Sequence, residues 1–133
     1  MVFSLDLNPA AVRYHVINNA LNGVRETIDV ICGDARQIAS TSLVGCADRV
    51  LLPLPDLAVS SLAVAKGALR NGHGFIHCYV FVDSRRRVEA GNKALLEISP
   101  ALERIGATDM DTQAHVVRSV GHCRYQVCLD IHV

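Results

Sequence analysis

Short apolar runs alternate along the whole chain with longer stretches whose apolar residues recur at helical spacing. That alternation predicts an α/β sheet with helices packed on its faces. The first run, Val2 to Asp6, ends on a carboxylate and passes at once into Asn8-Pro9. Asn8 is a good N-cap and Pro9 suits a first helical turn. Val12, His15, Val16, Ala20 and Leu21 then supply an apolar stripe, and Asn22-Gly23 stops the helix with residues that tolerate left-handed backbone. A second strand is expected from Thr27 to Cys32, halting at Gly33-Asp34, with a short polar or helical connection over residues 35–42. The third run is Val50 to Leu54, after which Asp56 is expected to cap a helix reaching about Leu69.

Phe75 to Val82 is almost continuously apolar and aromatic, which predicts a strand buried on both faces. Arg86 to Ile105 predicts the longest helix, closed by Gly106, with Ser99-Pro100 as a point of kinking or splitting. His115 to Val120, the pair Gly121-His122, and Arg124 to Val133 predict two strands joined by a tight turn. The pattern therefore reads as one domain over residues 1–133, mostly parallel and closed by an antiparallel hairpin.

At 133 residues the chain is long enough to bury a real core. Thirteen basic and thirteen acidic side chains cancel, so no global field draws it onto nucleic acid, and any RNA contact must come from a local patch. Five cysteines, with no paired spacing and mostly inside apolar runs, predict a reducing, intracellular, cytoplasmic setting without disulfides. No apolar stretch approaches the roughly 20 residues of a membrane span.

Several segments, weak singly, form an ordered set: Ser4-Leu5-Asp6-Leu7-Asn8-Pro9-Ala10-Ala11-Val12, Asn22-Gly23-Val24, Gly33-Asp34-Ala35-Arg36, Ala47-Asp48-Arg49-Val50, Leu54-Pro55, Gly74-Phe75-Ile76-His77 and Val127-Cys128-Leu129-Asp130. As a set they resemble the catalytic half of the archaeal and eukaryotic type of tRNA (guanine-37-N1) methyltransferase, which uses S-adenosyl-L-methionine. The related aminocarboxypropyl transferases of wybutosine synthesis share much of the pattern. The fold class implied is α/β, a Rossmann-like class I methyltransferase sheet with a C-terminal antiparallel hairpin and its first strand missing.

The resemblance implies that Asp6 and Leu7 lie on the cofactor, with the Asp6 carboxylate accepting from the ribose hydroxyls. It implies that Asp34 and Ala35 face the adenine. The plain alternatives are that Asp6 ends the strand or caps the next helix, and that Gly33-Asp34 is an ordinary turn. Leu54 and Pro55 would border the target base, and Arg85-Arg86, within the chain's one basic run, would meet tRNA phosphate or else form a solvated helix start. No catalytic residue is assigned.

Two departures stand out. Members of the family carry Asn-Leu-Pro where this chain has Pro53-Leu54-Pro55; proline brings neither a polar side chain nor a backbone donor. The Gly-rich first strand and turn are also absent, which leaves inner strand edges whose unpaired groups cost about 1–3 kcal/mol each where buried. The expected explanation is an N-terminally incomplete domain, a fragment or shortened form with weak or no activity alone. Homo-oligomerisation through the open edge and a non-catalytic scaffold module are the alternatives. His73, His77 and Cys78, with Cys123 and Cys128 in reserve, invite a metal reading, but adjacent His77 and Cys78 on a strand face opposite ways, so no metal is expected.

Overall fold

The structure, a computed structural model, describes residues 1–108 and 111–133. By its internal contacts the chain divides into two compact units, Met1–Ser42 and Leu43–Val133.

The first unit is β1 (Val2–Asp6), α1 (Pro9–Leu21), β2 (Ile28–Cys32) and α2 (Ala35–Thr41). β1 and β2 run parallel, in register from Val2↔Ile28 to Asp6↔Cys32; parallel neighbours need a crossover, and α1 supplies it. Asn8 caps α1 as expected, its side chain accepting from the Ala10 N–H at 2.9 Å with Pro9 beginning the helix. Asn22 closes the helix and Gly23 follows at φ 68°. A 3-10 turn over Arg25–Thr27 delays β2 by one residue relative to expectation.

The apolar stripe expected on α1 is only partly covered. Val12 and His15 are half-buried, but Val16 is 43% and Leu21 79% exposed. Two strands some 4.8 Å apart offer too narrow a face to cover a helix about 10 Å across.

The second unit contains β3 (Arg49–Leu52), α3 (Pro55–Ala58), α4 (Leu62–Ala68), β4 (Phe75–Asp83), α5 (Arg87–Arg104), β5 (Thr112–Gly121) and β6 (Arg124–His132). Its sheet has the order β3-β4-β6-β5. β3 and β4 are parallel, while β4–β6 and β5–β6 are antiparallel, so the expected closing hairpin is present. Ile76, Cys78, Val80 and Val82 of β4 and Val127, Leu129 and Ile131 of β6 form one buried face. Against it pack Ala90, Ala94, Ile98 and Leu102 of α5, at spacings of four, with Leu62 and Ala65 of α4 and Leu69 just after it.

Three expectations need correction. β4 is buried on one face only: His77, Tyr79 and Phe81 are half-buried and Phe75 is exposed, because the helical residues of the core cover the other set of side chains. Asp56 does not cap the next helix. Pro55 takes the first helical position, so the cap falls on Leu54 without a side-chain bond, and Asp56 sits in the first turn, where a carboxylate still favours the dipole. That helix also does not run unbroken to Leu69. A 3-10 turn at Val59–Ser61 divides it, with Ser60 and Ser61 hydroxyls both donating to the Leu57 carbonyl at 2.9 and 2.8 Å.

By contrast, Pro100 does not split α5. It lies on the exposed side near Leu96, where a carbonyl left without its donor can be hydrated. β3 stops at Leu52 because Pro53 has no N–H to give. Among the described residues β1 is laddered only to β2 and β3 only to β4, and no helix is long and apolar enough to cross a membrane.

Candidate functional site

Within the first unit, the two carboxylates singled out by sequence share one rim. Asp6 is the last residue of β1, and the Gly33 N–H donates to its carbonyl at 3.0 Å, so the chain leaving β2 stays beside it. Asp34 follows at once and caps α2, its Oδ1 accepting from the Arg36 and Gln37 N–H groups at 2.8 and 3.3 Å. Asp6 uses its own Oδ1 in a local turn, accepting from the Asn8 N–H at 2.8 Å. The local roles weighed for both residues are therefore real. They engage one oxygen each, and the second oxygen of each carboxylate has no hydrogen-bond partner among the described residues. Leu7 and Ala35 are exposed on the same rim.

Gly33 shapes the turn between these groups. Its φ is 155°, and a Cβ there would come within 2.8 Å of Ile38 Cδ1, so glycine lets α2 fold back tightly onto the strand end.

Within the second unit, Leu54 and Pro55 follow β3 while Arg85 and Arg86 follow β4. Because those strands are parallel neighbours, all four residues lie at the carboxyl-end rim of that sheet. Leu54 is 63% exposed. Arg86 Nε pairs with Glu89 at 2.8 Å, and Arg85 has no side-chain partner among the described residues.

A polar cluster that sequence reasoning missed occupies the half-buried face of the same sheet. His77 Nδ1 lies 2.5 Å from Asp130 Oδ1, His115 Nε2 lies 3.2 Å from Asp130 Oδ2, and the Cys128 thiol points at Asp130 Oδ1 over 3.4 Å. Arg49 Nη1 is 2.5 Å from His77 Nε2. Burial pushes Asp130 up, but hydrogen bonds from His77 and Cys128 and the charges of His77 and His115 outweigh it, leaving its pKa below the usual value. Burial, then the Asp130 charge, pushes the Cys128 thiol up to about 11. Ligand atoms of His77, Cys128 and Asp130 lie within 4.8 Å of one another.

His77 and Cys78 face opposite ways, as strand alternation predicts, with Cys78 in the core on the helix-covered face. The β4–β6 register sets His77 opposite Asp130 and Tyr79 opposite Cys128. No signal in the sequence specifies that pairing. The cluster satisfies its own hydrogen bonds, as do all buried polar side-chain atoms among the described residues.

Parallel strands with carboxylates at their carboxyl ends in the first unit, and a sheet closed by an antiparallel hairpin in the second, are features of a Rossmann-like class I methyltransferase fold. The crystal structure of TYW2 from M. jannaschii in complex with AdoMet is similar, with a TM-score of 0.80 at 20% identity, over 99% of this chain and 57% of that one. That of wild-type Trm5b from Pyrococcus abyssi gives 0.74 at 27% identity, over 99% of this chain and 37% of that one. Residues 1–103 match the family described as the TRM5/TYW2 methyltransferase domain, and the chain belongs to that family. It is 33% identical over 132 residues to the tRNA 4-demethylwyosine(37)-methyltransferase Taw21 of Saccharolobus solfataricus, spanning 98% of this chain and 45% of that protein. It is 36% identical over 81 residues to the tRNA (guanine(37)-N(1))-methyltransferase Trm5b of P. abyssi, spanning 61% of this chain and 22% of that protein. The chain thus spans less than half the length of each of these curated relatives.

Proposed function

We propose that this chain carries the adenosine-binding part of an S-adenosyl-L-methionine-dependent tRNA methyltransferase acting at position 37, with methyl transfer to guanine N1 as its reaction. One observation carries the reading: Asp6 and Asp34 stand at the ends of adjacent parallel strands, each with one carboxylate oxygen uncommitted. Family membership and two relatives named as methyltransferases at nucleotide 37 support methyl transfer there, and of these two the name of Trm5b is the one that specifies guanine N1.

The residues present fit the adenosine end of the cofactor. The second oxygen of Asp6 accepts from the ribose diol, as an ionised carboxylate offers only acceptors. Asp34 accepts from the adenine amine. The Ala35 N–H, at the first position of α2, has no intrahelical acceptor and donates to a ring nitrogen. Leu7 packs against the adenosine from the strand end. When bound, the cofactor supplies a methyl carbon on a positively charged sulfur. On the other rim, Leu54 and Pro55 border the acceptor base and Arg85 and Arg86 hold tRNA phosphate. Neither rim offers an assigned base for the guanine N1 proton.

Pro53 favours a second reading. It follows β3 at the position where the resemblance implies an asparagine on the target guanine, and proline offers no such contact. Transfer of the aminocarboxypropyl group of the same cofactor in wybutosine synthesis is compatible with that loss, as is a non-catalytic module.

Calorimetric titration with S-adenosylhomocysteine tests the cofactor reading. Asp6→Asn keeps the local turn but loses the charge, and should weaken binding roughly 10-fold or more, one charge-assisted bond being worth about 1.5–3 kcal/mol. Equal affinity of Asp6→Asn and wild type would sink the reading. Mass analysis of treated tRNA separates methyl from aminocarboxypropyl transfer.

A further inference from the structure

We propose that the carboxyl-end rim of the second unit is a phosphate seat for an RNA strand, built jointly by Arg85 and Arg86 of the loop after β4 and by Arg118, His122 and Arg124 of the β5–β6 hairpin. The inference rests on the tRNA reading above and extends it to residues that no sequence motif singled out.

Strand register brings the two groups together. Asp83, the last residue of β4, pairs with Arg124, and the Ser84 N–H donates to the Cys123 carbonyl at 2.7 Å, so the loop is fastened to the turn. Ser84 is buried and its hydroxyl donates to the Arg86 carbonyl at 2.9 Å, which fixes the path of the arginine run. Arg118 extends from β5 along the hairpin, its Nε donating to the neutral Gln126 at 3.0 Å. The Arg124 guanidinium lies over the Phe81 ring, 5.0 Å from its centre, which holds a long side chain in one place.

Charge on this rim is not cancelled locally. Arg85, Arg86, Arg87, Lys93, Arg118 and Arg124 there face Asp56, Asp83, Glu89 and Glu97, a net of +2 with His122 neutral. The Arg124–Asp83 pair spans 3.9 Å between side chains 52% and 78% exposed, an arrangement worth little in water. Arg85 and Arg118 have no carboxylate within ion-pair distance among the described residues. On a chain of zero net charge, such a patch acts at short range and orients its partner more than it attracts it. Guanidinium forks match phosphate oxygens in pairs, and the rim also carries Leu54 and Pro55, the residues proposed to border the base. A strand held here by its backbone would present one nucleotide toward that edge.

The test is fluorescence anisotropy of a labelled anticodon stem-loop RNA with the full chain across a potassium chloride series. The triple variant Arg85→Gln, Arg118→Gln, Arg124→Gln is compared with wild type, and S-adenosylhomocysteine titration of both proteins serves as the independent readout. The variant should bind RNA at least ~10-fold more weakly and its salt slope should fall by about 2, since each neutralised phosphate contributes about 0.7–0.9. Cofactor binding should be unchanged. A triple lysine variant should keep most of the slope, and guards against a folding defect in the glutamine protein.

Equal RNA affinity and slope in variant and wild type overturn the seat while leaving the cofactor reading standing. Failure of wild type to retain RNA at low salt overturns both the seat and the tRNA reading. Polyglutamate competing as well as RNA would also overturn the seat, as the rim would then be a docking site for acidic protein.

Discussion

Asp34 combines two tasks in one side chain, and substitutions separate them. As the N-cap of α2 it holds two N–H groups with a single oxygen; Asp34→Ala should cost about 0.5–2 kcal/mol of stability, whereas Asp34→Asn caps equally well and should cost almost none. Thermal melts of the two variants check this, and a large loss in Asp34→Asn would mean the charge itself is structural. Asp130 is the complementary case, a carboxylate committed wholly to its neighbours. Its folded pKa lies below the ordinary 3.8, so its stabilising effect is complete above that value and is lost as the pH falls through the lower one. Melts from pH ~5 down to pH ~2 should show an acid-side loss of stability that Asp130→Asn flattens. An identical acid limb in the variant would remove the cluster from any role in stability.

At the scale of elements, the alignment of β3 with β4 depends on one backbone position. Gly74 precedes β4 at φ 146°, and a Cβ there would sit 2.5 Å from the Asp48 carbonyl oxygen. Its N–H and carbonyl also bond to Val133 at 3.0 Å each, tying the start of β4 to the end of β6. Gly74→Ala should therefore cost about 1–3 kcal/mol, measurable by urea unfolding; a neutral effect would show that the strand start gives way freely. The same elements explain what the apolar pattern revealed. Every strand and major helix was legible because period and caps, such as Asn8-Pro9 before α1, are local signals. The break at Ser60 and Ser61 was not, because hydroxyl bonds back to Leu57 compete with the helix in a way that pattern alone does not weigh.

For the whole molecule, the division of the core matters most. The buried apolar cluster lies entirely within Leu43–Val133, while Asn19 is the one buried residue of Met1–Ser42. Amide hydrogen exchange should therefore be much faster in β1 and β2 than in β4 and β6, and S-adenosylhomocysteine should slow it chiefly in the first pair. Uniform protection across the chain would contradict this ranking. The proposed cofactor site lies on the unit with the smaller buried core, as expected where binding loops are drawn from the less stable end of a fold.

The sequence by itself determined the α/β class, the closing hairpin, and the position of Asp6 and Asp34 at strand ends, because apolar period, turn residues and an ordered set of short motifs are all encoded along the chain. It did not determine which strands would pair. The partners of His77, the half-open face of β4, and the joining of Arg118 and Arg124 to the Arg85–Arg86 loop follow from register between residues far apart in the chain. Register is set by the packing of the whole face, and only the tertiary structure supplies it.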